Sequence, residues 1–259
     1  MTATPLVFIT GASSGLGQAL ALRYYQAGYR LALVARRTAT ITTWAQQQGM
    51  EMDRLAVYSA DVAVIDSIVA AAEQCLQQQG IPDVVIACAG FSTGVDCAYR
   101  EDLDVMARTF ATNNVGTAAT FHPFIAAMAQ RGSGALVGVA SVHGIRGMPG
   151  HGAYCPSKAG VISFCESLRG ELRASGVKVV TIVPGYIDTP LTQGNSYSMP
   201  FLLPAAEFAE VAFQAIARGA SYKVIPWQMG VVAKFLRVLP NWAFDKVFAG
   251  RPRKPRAQG

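Results

Sequence analysis

Leu6-Val7-Phe8-Ile9-Thr10-Gly11-Ala12-Ser13-Ser14-Gly15-Leu16-Gly17 is a short apolar run that breaks at glycine, with a helical stretch from Gln18 to about Gln26 behind it. A brief apolar run ending at glycine reads as a buried strand. Strand, glycine-rich turn and helix together form the setting in which backbone approaches a pyrophosphate. Gly11 permits the tight turn, Gly15 lets backbone come close, and Gly17 allows helix and strand to pack, with Leu16 between them. The helix N-terminus then turns free N–H groups toward the anion. A purely structural glycine turn is the alternative, and a second strand at Arg30 to Ala35 favours the dinucleotide loop.

Outward from that turn, strand-like runs alternate with helical ones. They fall at Leu6–Thr10, Arg30–Ala35, Leu55–Ser59, Val84–Ala87, Ala135–Ala140, Lys178–Pro184 and Lys223–Pro226. This βαβ rhythm predicts an α/β fold, a doubly wound, Rossmann-like, mostly parallel seven-stranded sheet flanked by helices. Residues 1–228 read as a single dinucleotide-binding catalytic domain with a substrate lid at about 189–206. Residues 229–250 read as an apolar and basic helical extension, and 251–259 as a disordered basic tail. No internal repeat at solenoid periods interrupts the pattern.

The end of the second strand selects the cofactor. A carboxylate about 20 residues beyond the glycines would accept hydrogen bonds from the ribose of NAD. Here Ala35 is followed by Arg36-Arg37. Guanidinium groups pair well with a 2′-phosphate, and the hydroxyls of Ser13 and Ser14 add donors for it. The alternative is that two arginines merely start a solvated helix. NADP(H) is therefore expected over NAD(H).

Ser141, Tyr154 and Lys158 supply the chemistry, in the spacing S-x12-Y-x3-K. A tyrosine four residues before a lysine on a helix shares its face, one turn away. Free phenol and ammonium titrate near pH 10, so neither carries protons at neutral pH alone. An ammonium beside the phenol favours the phenolate and brings the tyrosine toward acid–base work. The serine hydroxyl holds a substrate oxygen next to it. In isolation such a pair is also what a surface helix shows when tyrosine packs on a lysine stem.

Taken together these residues resemble the short-chain dehydrogenase/reductase family in its compact single-domain form, over about residues 5–228. Thr10-Gly11-x3-Gly15-x-Gly17 matches its cofactor loop, and Asp61-Val62 the pair that contacts the adenine. The resemblance makes Asn113, with Ser141, Tyr154 and Lys158, the catalytic set; Asn113 binds a water through its backbone and extends a proton relay from Lys158. Pro184-Gly185-Tyr186-Ile187-Asp188-Thr189 resembles the turn beside the nicotinamide, with Thr189 on its carboxamide and Ile187 nearby. Ala89-Gly90 leaves backbone room near the adenosine ribose. One departure is Ala87-Cys88-Ala89-Gly90, where the family has Asn-Asn-Ala-Gly; Cys88 replaces an amide that braces the sheet. The implied reaction is hydride transfer between NADP(H) and the carbonyl or alcohol carbon of a small molecule, with reduction favoured. A cofactor-binding regulator without turnover is the other reading. The family also implies a homodimer or homotetramer, with Leu103–Met128 and Tyr154–Leu172 as its surfaces.

Composition excludes several classes. No stretch of 18 apolar residues exists, and the N-terminus enters the first strand at once, which leaves no room for a signal peptide. Five cysteines lack metal or redox spacing and read as free thiols in a reducing cytoplasm, and no metal site is expected. Of the formal +6 charge, Arg251, Arg253, Lys254 and Arg256 carry four, leaving +2 for the body. No basic stripe with interleaved aromatics occurs elsewhere, so nucleic acid is not an expected partner.

Two segments bear on the substrate. Val142–Ala153 holds His143, Arg146, Met148 and His151, whose histidines either touch substrate or are simply solvated. Leu191–Pro204 holds Tyr197, Met199, Phe201, Leu202 and Leu203, an apolar run that either lines the pocket or docks the lid. The first alternative favours a hydrophobic carbonyl compound. Beyond Pro226, Val231, Val232, Phe235, Leu236, Val238 and Leu239 form an apolar face opposite Lys234 and Arg237. That face suits an anionic lipid surface, a partner subunit or the substrate cleft, so peripheral membrane contact stays open.

Overall fold

In the computed structural model of the chain, which describes residues 4–193, 198–250 and 253–256, every residue of the first strand is buried. That strand is β1 (Leu6–Thr10). Leu6 and Phe8 enter an apolar cluster with Phe121 and Phe124, while Val7 and Ile9 enter another with Leu20, Tyr24 and Phe208. Side chains alternate across a strand, so β1 is covered on both faces, as parallel strands are.

The remaining elements follow as α1 (Gly15–Gln26), β2 (Arg30–Ala35), α2 (Thr38–Gln47), β3 (Leu55–Ser59), α3 (Ile65–Gln79) and β4 (Val84–Ala87). Next come α4 (Glu101–Phe110), α5 (Gly116–Arg131), β5 (Gly134–Val139), α6 (Tyr154–Glu171) and β6 (Val177–Pro184). The chain closes with β7 (Ile187–Asp188), α7 (Pro190–Gln193), β8 (Leu203–Pro204), α8 (Ala205–Ala217), β9 (Tyr222–Ile225), α9 (Trp227–Val238) and α10 (Asn241–Phe248). Seven strands form one parallel sheet in the order β3-β2-β1-β4-β5-β6-β9, and β7 pairs with β8 apart from it. The order reverses between β1 and β4. In open sheets of this kind the crevice beyond the strand C-termini at that switch point receives ligands.

Strand boundaries read from the sequence shift by a residue or two. β5 begins at Gly134 because Gly134 pairs with Val177, and β9 spans Tyr222–Ile225 against Thr181–Pro184. The segment read as a lid begins as α7 and ends in β8, tied to β7 next to Gly185 and Tyr186. Phe201 and Leu202 are exposed, and Tyr197 lies outside the described residues.

Two readings change. Disorder was expected throughout 251–259, yet residues 253–256 lie against the body, with Arg256 bridged to Gly94 and paired with Asp102 and Glu101. The carboxylates that hold this segment stand some 150 positions upstream, beyond any local sequence signal. Arg146, placed by sequence in a substrate segment, instead caps α9. Its guanidinium donates to the carbonyls of Leu236, Arg237 and Leu239, each at 2.9 Å, and stacks on Phe244. Those carbonyls are among the last four of the helix, which lack internal donors.

Candidate active site

At the switch point the glycine turn follows from steric demand. Gly11 and Gly15 adopt positive φ of 71° and 56°, a region L side chains disfavour. A Cβ on Gly17 would stand 2.2 Å from the Gly11 carbonyl oxygen, and one on Gly11 would stand 2.8 Å from Ala89 Cα. Removing side chains here packs the N-terminus of α1 onto β1 and β4 and leaves a backbone cradle. Thr10 braces it from below, its hydroxyl accepting from the Cys88 and Ala89 amides at 3.1 and 3.2 Å. Sequence reading gave Thr10 no such task, and with these bonds the segment holds its shape with Cys88 in place of asparagine. Burial pushes the Cys88 thiol up to about 11, so it stays a neutral, compact filler.

The cradle opens into a cleft of about 710 Å³. Gly11, Ser13, Ser14, Gly15, Leu16 and Gly17 line one end of it, together with Arg36, Arg37, Asp61 and Val62. Arg36 is largely exposed and stands 3.8 Å from Asp61, a loose pair that water screens. Asp61 is thus the carboxylate nearest Arg36, although it comes from the end of β3 and not of β2. Ala89 and Gly90 form the floor, and Pro184, Gly185, Ile187 and Thr189 the far wall. The backbone cradle and the two exposed guanidinium groups fit a phosphorylated dinucleotide.

Ser141, Tyr154 and Lys158 reach the same cleft from two elements. Ser141 ends β5, where its Oγ accepts from the His143 backbone N–H at 3.2 Å. Tyr154 opens α6 and Lys158 follows one turn later on the same face, with Lys158 Nζ 5.9 Å from the phenol ring centre. Lys158 is buried and donates to the Val139 carbonyl at 2.8 Å. Burial lowers its pKa to about 8, so it remains a cation at neutral pH but a costly one.

Asn113 does not line the cleft wall, but stands behind it in a π-helical turn, Ala111–Val115, between α4 and α5. Its side chain donates to Ser157 Oγ at 2.9 Å and accepts from Phe91 N–H at 3.1 Å, while its carbonyl accepts from Thr117. A Cβ on Gly90 would meet both Asn113 Oδ1 (3.0 Å) and Lys158 Nζ (3.3 Å), which puts the three in one layer. Such single turns interrupt helices where backbone is needed at a site.

The histidines flank the substrate end. His143 stacks on His151 with centroids 5.4 Å apart and lies against Tyr154 and Tyr186. Burial holds the His143 imidazole down to about 4 and depresses that of His151, so both are neutral at pH 7. Of the described lid residues Thr189, Pro190, Leu191 and Thr192 border the cleft, whereas Met199, Phe201, Leu202 and Leu203 do not. Ser92 and Lys254 border it too, and no local pattern in the sequence marks either.

A family model described as short chain dehydrogenase matches residues 5–199. An uncharacterized oxidoreductase of Myxococcus xanthus is 37% identical over 240 residues, covering 92% of this chain and 93% of its own. Dehydrogenase/reductase SDR family member 7B of Bos taurus is 30% identical over 273 residues, 97% and 82% of the two chains. A short-chain dehydrogenase from Streptomyces avermitilis superposes with a TM-score of 0.79 at 23% identity, covering 90% and 92%, a likeness of fold. The chain belongs to the short-chain dehydrogenase/reductase family and is an oxidoreductase. Members of this family generally bind a nicotinamide cofactor, act on small molecules and commonly form oligomers.

Proposed function

We propose that the chain is an NADP(H)-dependent reductase of a hydrophobic carbonyl compound. The observation that carries the reading is the convergence of Ser141, Tyr154 and Lys158 on the cleft that the glycine cradle opens. When bound, the nicotinamide supplies the hydride. Tyr154 gives its phenolic proton to the substrate oxygen, and the Ser141 hydroxyl donates a hydrogen bond to that same oxygen. The Lys158 ammonium favours the phenolate left behind, and Asn113 extends proton exchange behind it. In oxidation the same groups run backward, with Tyr154 as base.

Arg36 and Arg37 support NADP(H), since they stand exposed beside the cradle while Ala35 ends β2 without a carboxylate. Ser13 and Ser14 line the same end. Asp61-Val62, Ala89-Gly90, Pro184-Gly185, Ile187 and Thr189 complete the proposed cofactor contacts. The test is titration with NADPH and NADH, then with Arg36→Ala/Arg37→Ala. The double variant should lose tenfold or more in NADPH affinity and little in NADH affinity; equal losses sink the assignment. Tyr154→Phe should bind NADPH normally and turn over at least a hundredfold more slowly. If it turns over like the wild type, Tyr154 is not the proton donor, and a phenotype that survives its loss of turnover revives the regulator.

A second reading concerns place. No helix among the described residues is long and apolar enough to cross a membrane. Yet Trp227, Val231, Phe235, Val238 and Trp242 are exposed, at 67%, 59%, 62%, 77% and 75%. Helical spacing puts Trp227, Val231, Phe235 and Val238 on one side of α9, and Trp242 follows on α10. Beyond Gln228 the sequence holds seven lysines and arginines and one acid, Asp245, which equals the whole formal charge of +6, and of these Arg253 and Arg256 pair with Asp96, Glu101 and Asp102 of the body. An apolar ridge with tryptophans at its ends and cations around it suits an anionic membrane surface. Val231→Ser/Phe235→Ser/Val238→Ser should abolish co-sedimentation with anionic phospholipid vesicles at low salt; a wild type that stays in the supernatant removes this reading. Exposed Leu103 and Val115, from α4 and the π-helical turn, offer the corresponding surface for a homodimer or homotetramer. Cys75, Cys88, Cys97, Cys155 and Cys165 are all free, in keeping with a reducing cytoplasm.

A further inference from the structure

Residues 253–256 lie against Gly94, to which Arg256 bridges, and their side chains alternate in burial. Arg253 and Pro255 face out, whereas Lys254 and Arg256 face in. Arg256 is the peg. Its Nε and Nη2 reach the two carboxylate oxygens of Asp102 at 2.7 and 3.0 Å, Nη2 also reaches Glu101, and the guanidinium covers the Tyr99 ring at 3.6 Å. Asp102 is only 3% exposed, and these bonds, with that from the Asp96 N–H, hold its carboxyl below the ordinary range. The Gly94 N–H donates to the Pro255 carbonyl at 2.9 Å, and a Cβ on Gly94 would stand 2.0 Å from the Lys254 carbonyl. The register of this strap is therefore fixed, and it delivers the Lys254 side chain into the cleft.

There Lys254 differs from its neighbours in the strap. Arg253 and Arg256 each pair with carboxylates, whereas Lys254 Nζ donates to the neutral Ser92 Oγ at 3.1 Å and has no carboxylate partner among the described residues. It shares the cleft wall with Ser141, His143, His151 and Tyr154, and its charge is felt by both imidazoles. Among the described residues the one carboxylate lining the cleft, Asp61, stands beside Arg36, away from Lys254. A half-buried ammonium without a counter-charge loses hydration for nothing unless a ligand brings the charge.

We propose that Lys254 is a specificity-determining residue that binds an anionic group, a carboxylate or a phosphate, on a carbonyl substrate whose reacting oxygen meets Ser141 and Tyr154. The proposal rests on the reductase reading and narrows its substrate: an otherwise apolar body, Phe91 and Tyr186 being further lining residues, with one negative end under the strap.

The experiment compares 4-oxo, 5-oxo and 6-oxo carboxylic acids with their methyl esters, and phosphate monoesters of hydroxyketones with the free alcohols, on the full chain with NADPH. The charged member of at least one pair should be preferred at least tenfold in kcat/KM, and the favoured series tells carboxylate from phosphate. Lys254→Met should bring that ratio to near one, Lys254→Arg should keep most of it, and Asp102→Asn, which releases the peg, should lower it. Charged and neutral members turned over alike, or a ratio unmoved in Lys254→Met, would overturn the role of Lys254 and leave the reductase standing. A matching fall in NADPH affinity in Lys254→Met would assign the cation to the cofactor and equally overturn it. NADPH bound tightly without turnover of any pair would count against the reductase reading itself and bring the proposal down with it.

Discussion

Gly17 and Gly170 should answer the same added methyl group in opposite ways. At Gly17 a Cβ strikes the Gly11 carbonyl, backbone against backbone, so neither side yields cheaply. Gly17→Ala is expected to lower stability by about 1–3 kcal/mol, as overpacking does, and to weaken cofactor binding. Gly170 lies in the last turn of α6 with nothing near its Cβ position, and Gly170→Ala should stabilise by about 0.5–1 kcal/mol through helix propensity. Urea denaturation measures both. Lys158 shows stability yielding to chemistry. Its pKa falls from 10.5 unfolded to about 8 folded, so the unfolded chain binds more protons between those values. Its contribution to stability is therefore full above pH 10.5 and is lost as pH falls through 8. Lys158→Met should stabilise the cofactor-free protein at pH 7 by about 1–3 kcal/mol while abolishing turnover, and should remove that alkaline rise. His143 acts the same way lower down. With its pKa held to about 4, the wild type should lose stability as pH drops from 6.5 toward 4, and His143→Gln should flatten that limb.

At the scale of elements, the site depends on how α6 meets the π-helical turn. Gly160 of α6 faces Asn114, whose Nδ2 would stand 2.4 Å from a Cβ there, and Asn114 donates to the Ser157 carbonyl at 2.8 Å. Asn113 from the same turn holds Ser157 Oγ. These contacts fix the first turn of α6, and with it Tyr154 and Lys158, against Asn113. Gly160→Ala should cost about 1–3 kcal/mol and lower kcat more than it raises the cofactor Kd, because the glycine cradle lies on other elements. A kinetic comparison with NADPH saturating checks this. The helix periodicities and the glycine turn could be read along the chain, since they follow from local spacing. The Arg146 cap on α9 could not, because its partners lie some 90 positions away and an arginine carries no mark of its acceptor.

For the whole molecule, ligand binding and stability are linked. NADPH at a hundred times its Kd should raise unfolding stability by about 2.7 kcal/mol, seen as a higher Tm in a single transition, and Arg36→Ala/Arg37→Ala should cancel most of the gain. One transition is expected because β1 contributes to the apolar clusters on both faces of the sheet, so neither cluster survives alone.

The seven-stranded α/β rhythm, the turn at Gly11–Gly17 and the pairing of Tyr154 with Lys158 are legible along the chain, because each is written in short-range pattern. Buried strands need apolar runs, tight turns need glycine, and one helical turn separates Tyr154 from Lys158. That Asp61 meets Arg36, that Thr10 braces Cys88 and Ala89, and that Asp102 pegs residues 253–256 with Lys254 in the cleft emerges only once the chain is folded. Those pairings join residues tens to more than a hundred positions apart. A charge or a hydroxyl announces what it can bond to, but only the folded chain selects the partner within reach.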